Sequence, residues 1–303
     1  MTATATRPTP SEIDAKASII LVACCVIWGL GLVMVKLANA GIPPFLNSAL
    51  RSIAGGAILF FWARARGVSL FTRDGTLVAG LVSGLVFAIE FLALYQGLTL
   101  TQAARATVFL HCAPFIAALG EHFFIPGYRL TRTRALGLLA AFAGLAIALG
   151  FGVNGTTQAT ITGDLLCLLA GIAWGAVTVV VRGSRLRNVA AEKTLLYQLA
   201  VSAPVLLAAS WLFGERGITD LSPAVLGAFA YTVLAVAVIG YTTWFWLMRT
   251  YSAASLHAFT FLTPIFGALA GHLVLGEAIG TPVLIGLTLV ASGIWLVNRP
   301  AAA

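Results

Sequence analysis

Arg51, Glu90 and His111 are ionisable residues set in stretches where nearly every neighbour is apolar. Inside hydrocarbon such groups cost roughly 2.5–3.5 kcal/mol each on insertion scales, so each one needs a reason to be there. Three chemistries are open. Arg51 and Glu90 can form a structural ion pair, the commonest fate of buried charge. Glu90 or His111 can contact the amino group, or another polar part, of a solute. Either can exchange a proton, a role that suits His because its pKa lies near neutrality. Aromatic residues form a second set. Trp28 and Trp174 fall at the centres of apolar runs, away from the interfaces where Trp gathers. There an indole N–H must find a partner or border a cavity, and packing between helices would serve as well as cavity lining. Tyr95 adds a ring, as do Tyr241 and Trp244, which share a helix face by their spacing of three. Pro114 and Pro264 each remove a backbone hydrogen bond within an apolar run and are candidate hinges or gates.

The elements that position these residues follow from composition. The chain has 303 residues, 60% hydrophobic and 9% charged, with mean hydropathy +0.98. Soluble domains are nearer 45–50% apolar and about 25% charged, and disordered chains are poorer still in apolar residues. What remains is an all-α polytopic membrane protein. A hydrocarbon core about 30 Å thick needs roughly 20 apolar residues per helix. Ten such runs are present: 18–36, 43–63, 76–97, 104–125, 133–151, 163–182, 193–213, 224–249, 253–274 and 281–298. At about 1.5 Å per residue, Arg51, Glu90 and His111 then lie within roughly 3–6 Å of the midplane on consecutive helices. Residues 1–17 read as a polar cytoplasmic tail and not as a cleavable signal peptide.

Orientation follows from Lys and Arg. With a cytoplasmic N-terminus, fourteen fall inside, three (Lys36, Arg105, Arg216) outside, and Arg51 within a helix. Both termini are therefore expected in the cytoplasm, with the chain in the inner membrane. The net charge of +8 is spent on topology, and no nucleic-acid partner is implied. Cys24, Cys25, Cys112 and Cys167 lack metal-type spacing and read as small packing residues.

The two halves of the chain resemble each other. Trp28-Gly29 with Lys36 is matched by Trp174-Gly175 with Arg182. Ala103-Ala104, Pro114, Ala118, Leu119 and His122 recur 150 residues later as Ala253-Ala254, Pro264, Ala268, Leu269 and His272. Gly127, Gly137 and Gly144 recur at an offset of 149 as Gly276, Gly286 and Gly293. Two five-helix repeats are expected, 18–151 and 163–298. Because five is odd, the second must enter the membrane inverted. Inverted repeats place one site at the midplane and give it two exchangeable conformations, the architecture of an alternating-access carrier. Glu90 and His111 have no ionisable mates, since Gly240 and Phe261 hold the equivalent positions. That asymmetry points toward a substrate-specific role.

On these residues, over 18–298, the chain resembles the drug/metabolite transporter superfamily and its EamA-type ten-helix proteins. Gly276-Glu277, followed by Gly286 and Gly293, looks like that family's repeat ending, and the first half departs from it with Tyr128 after Gly127. The segment Phe87–Leu94 is similar to the aromatic amino acid exporters. The resemblance implies export of amino acids, other metabolites or drugs. The expectation is a transporter of small metabolites, amino acids first, with a drug or lipid-type carrier of the same fold as the alternative. A channel or an intramembrane enzyme is the rival class. No HExxH, rhomboid-like GxSG or metal-suited acidic cluster is present, so neither an enzyme nor a cofactor is expected. Nucleotide-binding motifs are absent, which leaves passive or proton-coupled transport, and a monomer or weak dimer is expected. The proposed substrate contacts are Trp28, Arg51, Glu90, Tyr95, His111, Trp174, Tyr241 and Trp244. Glu121, His122, His272 and Glu277 lie toward helix ends as structural or gating residues. Lys36 and Arg182 read as snorkelling anchors, and His257 as a polar residue at the helix boundary.

Overall fold

A backbone amide in hydrocarbon has no water to bond, so an apolar run must satisfy its amides internally, as helix. In the computed structural model, which describes residues 13–101, 103–125, 128–148, 158–267, 269 and 281–299, every predicted run holds helix. The first half comprises α1 (Ala15–Asn39), α2 (Pro44–Ala65), α3 (Leu77–Leu100), α4 (Ala103–Leu110), α5 (Ala113–Phe124) and α6 (Arg132–Ala148). The second comprises α7 (Gln158–Gly183), α8 (Ala191–Leu212), α9 (Pro223–Tyr231), α10 (Tyr241–Met248), α11 (Ala253–Thr260) and α12 (Thr281–Asn298). Between α9 and α10 the chain winds as a π-helix, Thr232–Gly240. Gly127, Ala268, His272, Gly276 and Glu277 lie outside the described residues.

Among the described residues, six helices are long and apolar enough to cross a membrane: those of 15–39, 44–65, 77–100, 160–183, 191–212 and 223–248. The runs at 104–125 and 253–274 are not single rods. The first breaks at His111-Cys112, between α4 and α5. The second breaks at Phe261-Leu262, after which helix resumes at 263–267. Each break comes immediately before the turn that carries Pro114 or Pro264. A prolyl ring has no N–H and clashes with the carbonyl four residues back, here Leu110 and Thr260.

The ends are held by side chains. Asp14 caps α1, accepting the Ala17 N–H at 2.7 Å, and the Tyr251 hydroxyl donates to its other oxygen at 3.0 Å. Glu215 accepts the Phe45 and Leu46 N–H groups at 2.8 and 2.9 Å, satisfying the start of α2.

The packing has two-fold character. α2 lies along α8 and α6 along α12, while α3 packs on α7 as the α9–π segment packs on α1. Glycines set the closest approaches. A methyl at Gly29 would stand 2.6 Å from the Thr263 carbonyl oxygen; at Gly175, the repeat mate, one would stand 2.9 Å from that of Ala113, the mate of Thr263. Where α6 meets α12, a Gly137 methyl would meet the Gly293 carbonyl at 2.8 Å, and a Gly144 methyl that of Gly286 at 2.7 Å. Exchanging the halves maps one crossing onto the other. The exterior carries large exposed apolar side chains such as Ile19, Phe61, Val78 and Trp211. In a chain of this composition, such a surface is the lipid face.

Candidate functional site

Where the halves meet, the packing leaves a cavity with about 100 Å³ of space for water-sized molecules. α1 contributes Trp28, α2 Arg51, and α3 Glu90, Phe91 and Tyr95. His111 enters from the break between α4 and α5, Trp174 from α7, and Tyr241 from the start of α10. Seven of the eight residues proposed from sequence thus line one space, at mid-helix and toward the ends marked by Asn39 and Leu100.

Trp244 does not line it. One turn beyond Tyr241, it is buried behind the cavity wall, edge-on to Trp28 with ring centroids 5.4 Å apart. Tyr241 and Trp244 both lie against Trp28, but the extra turn of depth carries Trp244 past the cavity. Its neighbour there is His257, with centroids 5.0 Å apart. His257 is not a boundary residue: it is fully buried, 2.9 Å from the Thr178 hydroxyl through Nε2, and 5.2 Å from the ring of Trp174.

Arg51 and Glu90 are both buried, yet no ion pair joins them among the described residues. The guanidinium carbon of Arg51 instead lies 4.1 Å from the centre of the Phe91 ring, a cation–π contact that substitutes in part for a counter-charge. Its Nε and Nη2 groups are buried with no hydrogen-bond partner among the described residues. Trp28 shows the same condition at Nε1. Its indole rests on Gly240, where a methyl would stand 2.6 Å from that nitrogen. The repeat mate of Glu90 is therefore a glycine because the Trp28 ring occupies its side-chain space.

His111 bonds across the halves, its Nε2 standing 3.1 Å from the Thr260 carbonyl oxygen. That acceptor is the one Pro264 leaves free, since residue 264 of an unbroken helix would have donated to it. Its ring is also edge-on to Trp174, with centroids 5.8 Å apart. The proline signal was legible in the sequence; its consequence for His111 was not, because the two residues lie on different helices.

Beyond Trp244 and His257 lies a cluster of buried polar contacts. Arg182, expected as an anchor, forms an ion pair with the fully buried Glu121 and donates through Nη1 to the carbonyls of Met248 and Tyr251, both at 2.6 Å. The Glu121 carboxylate also accepts the Ala253 and Ala254 N–H groups at 3.2 Å, where the α11 dipole favours negative charge. These contacts tie α5, α7 and the α10–α11 turn together. His122 is exposed and accepts the Leu130 N–H at 3.3 Å through Nδ1.

On the aqueous edge, Lys193 reaches Asp74 at 2.7 Å. That contact, with hydrogen bonds from Thr76 and Thr72, holds the Asp74 carboxyl well below its ordinary value of 3.8.

The chain is similar to known proteins along most of its length. The model of the EamA-like transporter family matches residues 15–150 and again 161–299. The chain is 26% identical over 298 residues to the uncharacterized transporter YvbV of Bacillus subtilis (strain 168), covering 95% of this chain and 93% of that one. It is also 26% identical to a probable amino-acid metabolite efflux pump of Salmonella typhimurium, covering 89% and 91%. A solved crystal structure, 22% identical, superimposes with a TM-score of 0.80 over 94% of this chain and 96% of that one. This last likeness speaks for the fold alone.

Proposed function

The chain belongs to the EamA-like transporter family, and from that premise we propose that it exports amino acids, aromatic and other neutral ones first, by alternating access across the cytoplasmic membrane. The observation that carries the reading is the cavity between the halves, which holds a cation, a carboxyl group and aromatic rings together. A zwitterion with a planar side chain has complementary chemistry at each point. The efflux pump relative supports the direction of transport.

With both termini cytoplasmic, the cavity occupies the outer half of the molecule, and the Glu121–Arg182 cluster closes the inner side. Inward opening would release Arg182 from the Met248 and Tyr251 carbonyls and α11 from Glu121. The breaks before Pro114 and Pro264 let the outer and inner pieces of these helices move separately. Trp28 and Trp174, as repeat mates, would exchange environments as the halves rock. Glu90 or His111 would carry a proton where transport is coupled to one.

Uptake of labelled amino acids into proteoliposomes tests this, with and without a pH gradient. Saturable flux of tryptophan or another neutral amino acid is the expected result. No flux for any amino acid would sink the assignment, and flux indifferent to the gradient would remove the proton role.

A further inference from the structure

We propose that Arg51 is the carboxylate anchor of the cavity, so that the protein's ligands are molecules bearing a carboxylate on an apolar, preferably aromatic, body. The inference rests on the transport reading above and names the group by which that site selects.

Four observations converge. Arg51 is 3% exposed on a helix that crosses the bilayer, yet no acidic side chain pairs with it among the described residues. The partnerless nitrogens are Nε and Nη2. Their N–H bonds lie side by side on one edge of the guanidinium, the edge that grips both oxygens of a carboxylate; both nitrogens are sealed from water here, so a ligand meets them as the surrounding side chains give way. Phe91 lies 4.1 Å from the guanidinium carbon and restrains the plane of the group without using a donor. The residue lines the cavity together with Trp28, Tyr95 and Tyr241, which supply faces for an apolar body.

Glu90 lines the same cavity but follows a different direction on α3 from its neighbour Phe91, about 100° around the helix. Among the described residues it makes no ion pair, so it can meet an amino group and leaves the Arg51 fork for the ligand. A dry and unpaired cation is costly to keep. An anion completing it on binding turns that cost into selectivity, since a ligand lacking the carboxylate leaves the fork unmatched.

The experiment uses the purified full-length protein and four probes that share one ring: tryptophan, indole-3-propionate, tryptamine and indole. Thermal stabilisation and competition against labelled tryptophan are measured for the wild type, Arg51→Gln and Arg51→Lys. Expected are stabilisation by tryptophan and indole-3-propionate, and none by tryptamine or indole. Arg51→Gln should weaken the two carboxylates on the order of 10- to 100-fold. Arg51→Lys, which keeps the charge and loses the fork, should fall between. Tryptamine matching tryptophan, no response to either carboxylate, or unchanged carboxylate preference in Arg51→Gln would each overturn the assignment. The wild-type comparison stands even where a variant fails to fold. Carboxylate-dependent binding without flux would sink the export reading and leave the anchor in place. Flux without carboxylate dependence would sink the anchor alone.

Discussion

Arg182 and Glu121 show how much a few buried atoms decide in this molecule. Glu121 is fully buried, and its carboxylate is matched by one guanidinium and two backbone N–H groups. Removing the cation leaves an uncompensated buried charge, which costs about 3–5 kcal/mol. Arg182→Gln should therefore lower the unfolding midpoint in detergent by several degrees, and Glu121→Gln on that background should restore part of the loss. Equal destabilisation by the single and double variants would contradict the pairing. At the aqueous edge the sign of a pH effect can be worked out. Asp74 is held below its ordinary value by Lys193, Thr76 and Thr72, so its contribution is complete above about pH 4 and is lost as pH falls through the folded-state value. Asp74→Asn should be less stable than wild type at pH 7, with the gap closing in acid. A constant gap down to acid would mean that charge is not the cause. At this scale the sequence was readable where a polar group interrupts an apolar run, as at Arg51, Glu90 and His111. The burial of His257 between Trp174 and Trp244 was not, since helix register reports depth and leaves the facing helices unspecified.

Among the elements, the broken helices matter most. Both prolines were visible as hinge candidates, but each apolar run read as one span. A break needs more than a lost N–H: the freed carbonyl must find another partner or be tolerated. For Thr260 that partner is His111. For Leu110, α7 comes close at Gly171, where a methyl would stand 2.5 Å from the carbonyl oxygen. Pro264→Ala restores the missing donor, which then competes with His111 for Thr260. The expected outcome is a protein at least as stable as wild type with flux reduced about tenfold or more, since a continuous helix no longer flexes at this point. Full flux with raised stability would show that the break is not used in transport. The π-helix at Thr232–Gly240 had no legible signal; its residues are ordinary apolar membrane residues, and it packs on α1 and α2. Such segments occur often at functional sites, and this one delivers Gly240 to Trp28 and Tyr241 to the cavity.

For the whole molecule, the repeat is the organising fact, and it was the most legible one. Offsets of 146, 149 and 150 in the sequence become pairs of mated contacts in space. The crossings Gly137–Gly293 and Gly144–Gly286 are mates, so overpacking either should cost alike, about 1–3 kcal/mol each. Gly144→Ala and Gly293→Ala, which are repeat mates, should lower the unfolding midpoint by similar amounts. Gly137→Ala and Gly293→Ala, which crowd a single crossing, should combine less than additively. Strongly unequal losses for the mates, or full additivity within one crossing, would argue against the two-fold packing. What the repeat could not convey is which side is open, because the two ends are interchangeable by pattern. Here Glu121 and Arg182 tie one end together, and the cavity lies toward the other.

The central claim is that one substrate site between the halves is exposed to each side in turn, and counterflow tests it most directly. Proteoliposomes preloaded with unlabelled tryptophan and diluted into a trace of labelled tryptophan should accumulate label transiently above equilibrium, and Arg51→Gln should lose that overshoot. Label that merely equilibrates, without overshoot, would contradict alternating access and indicate a channel.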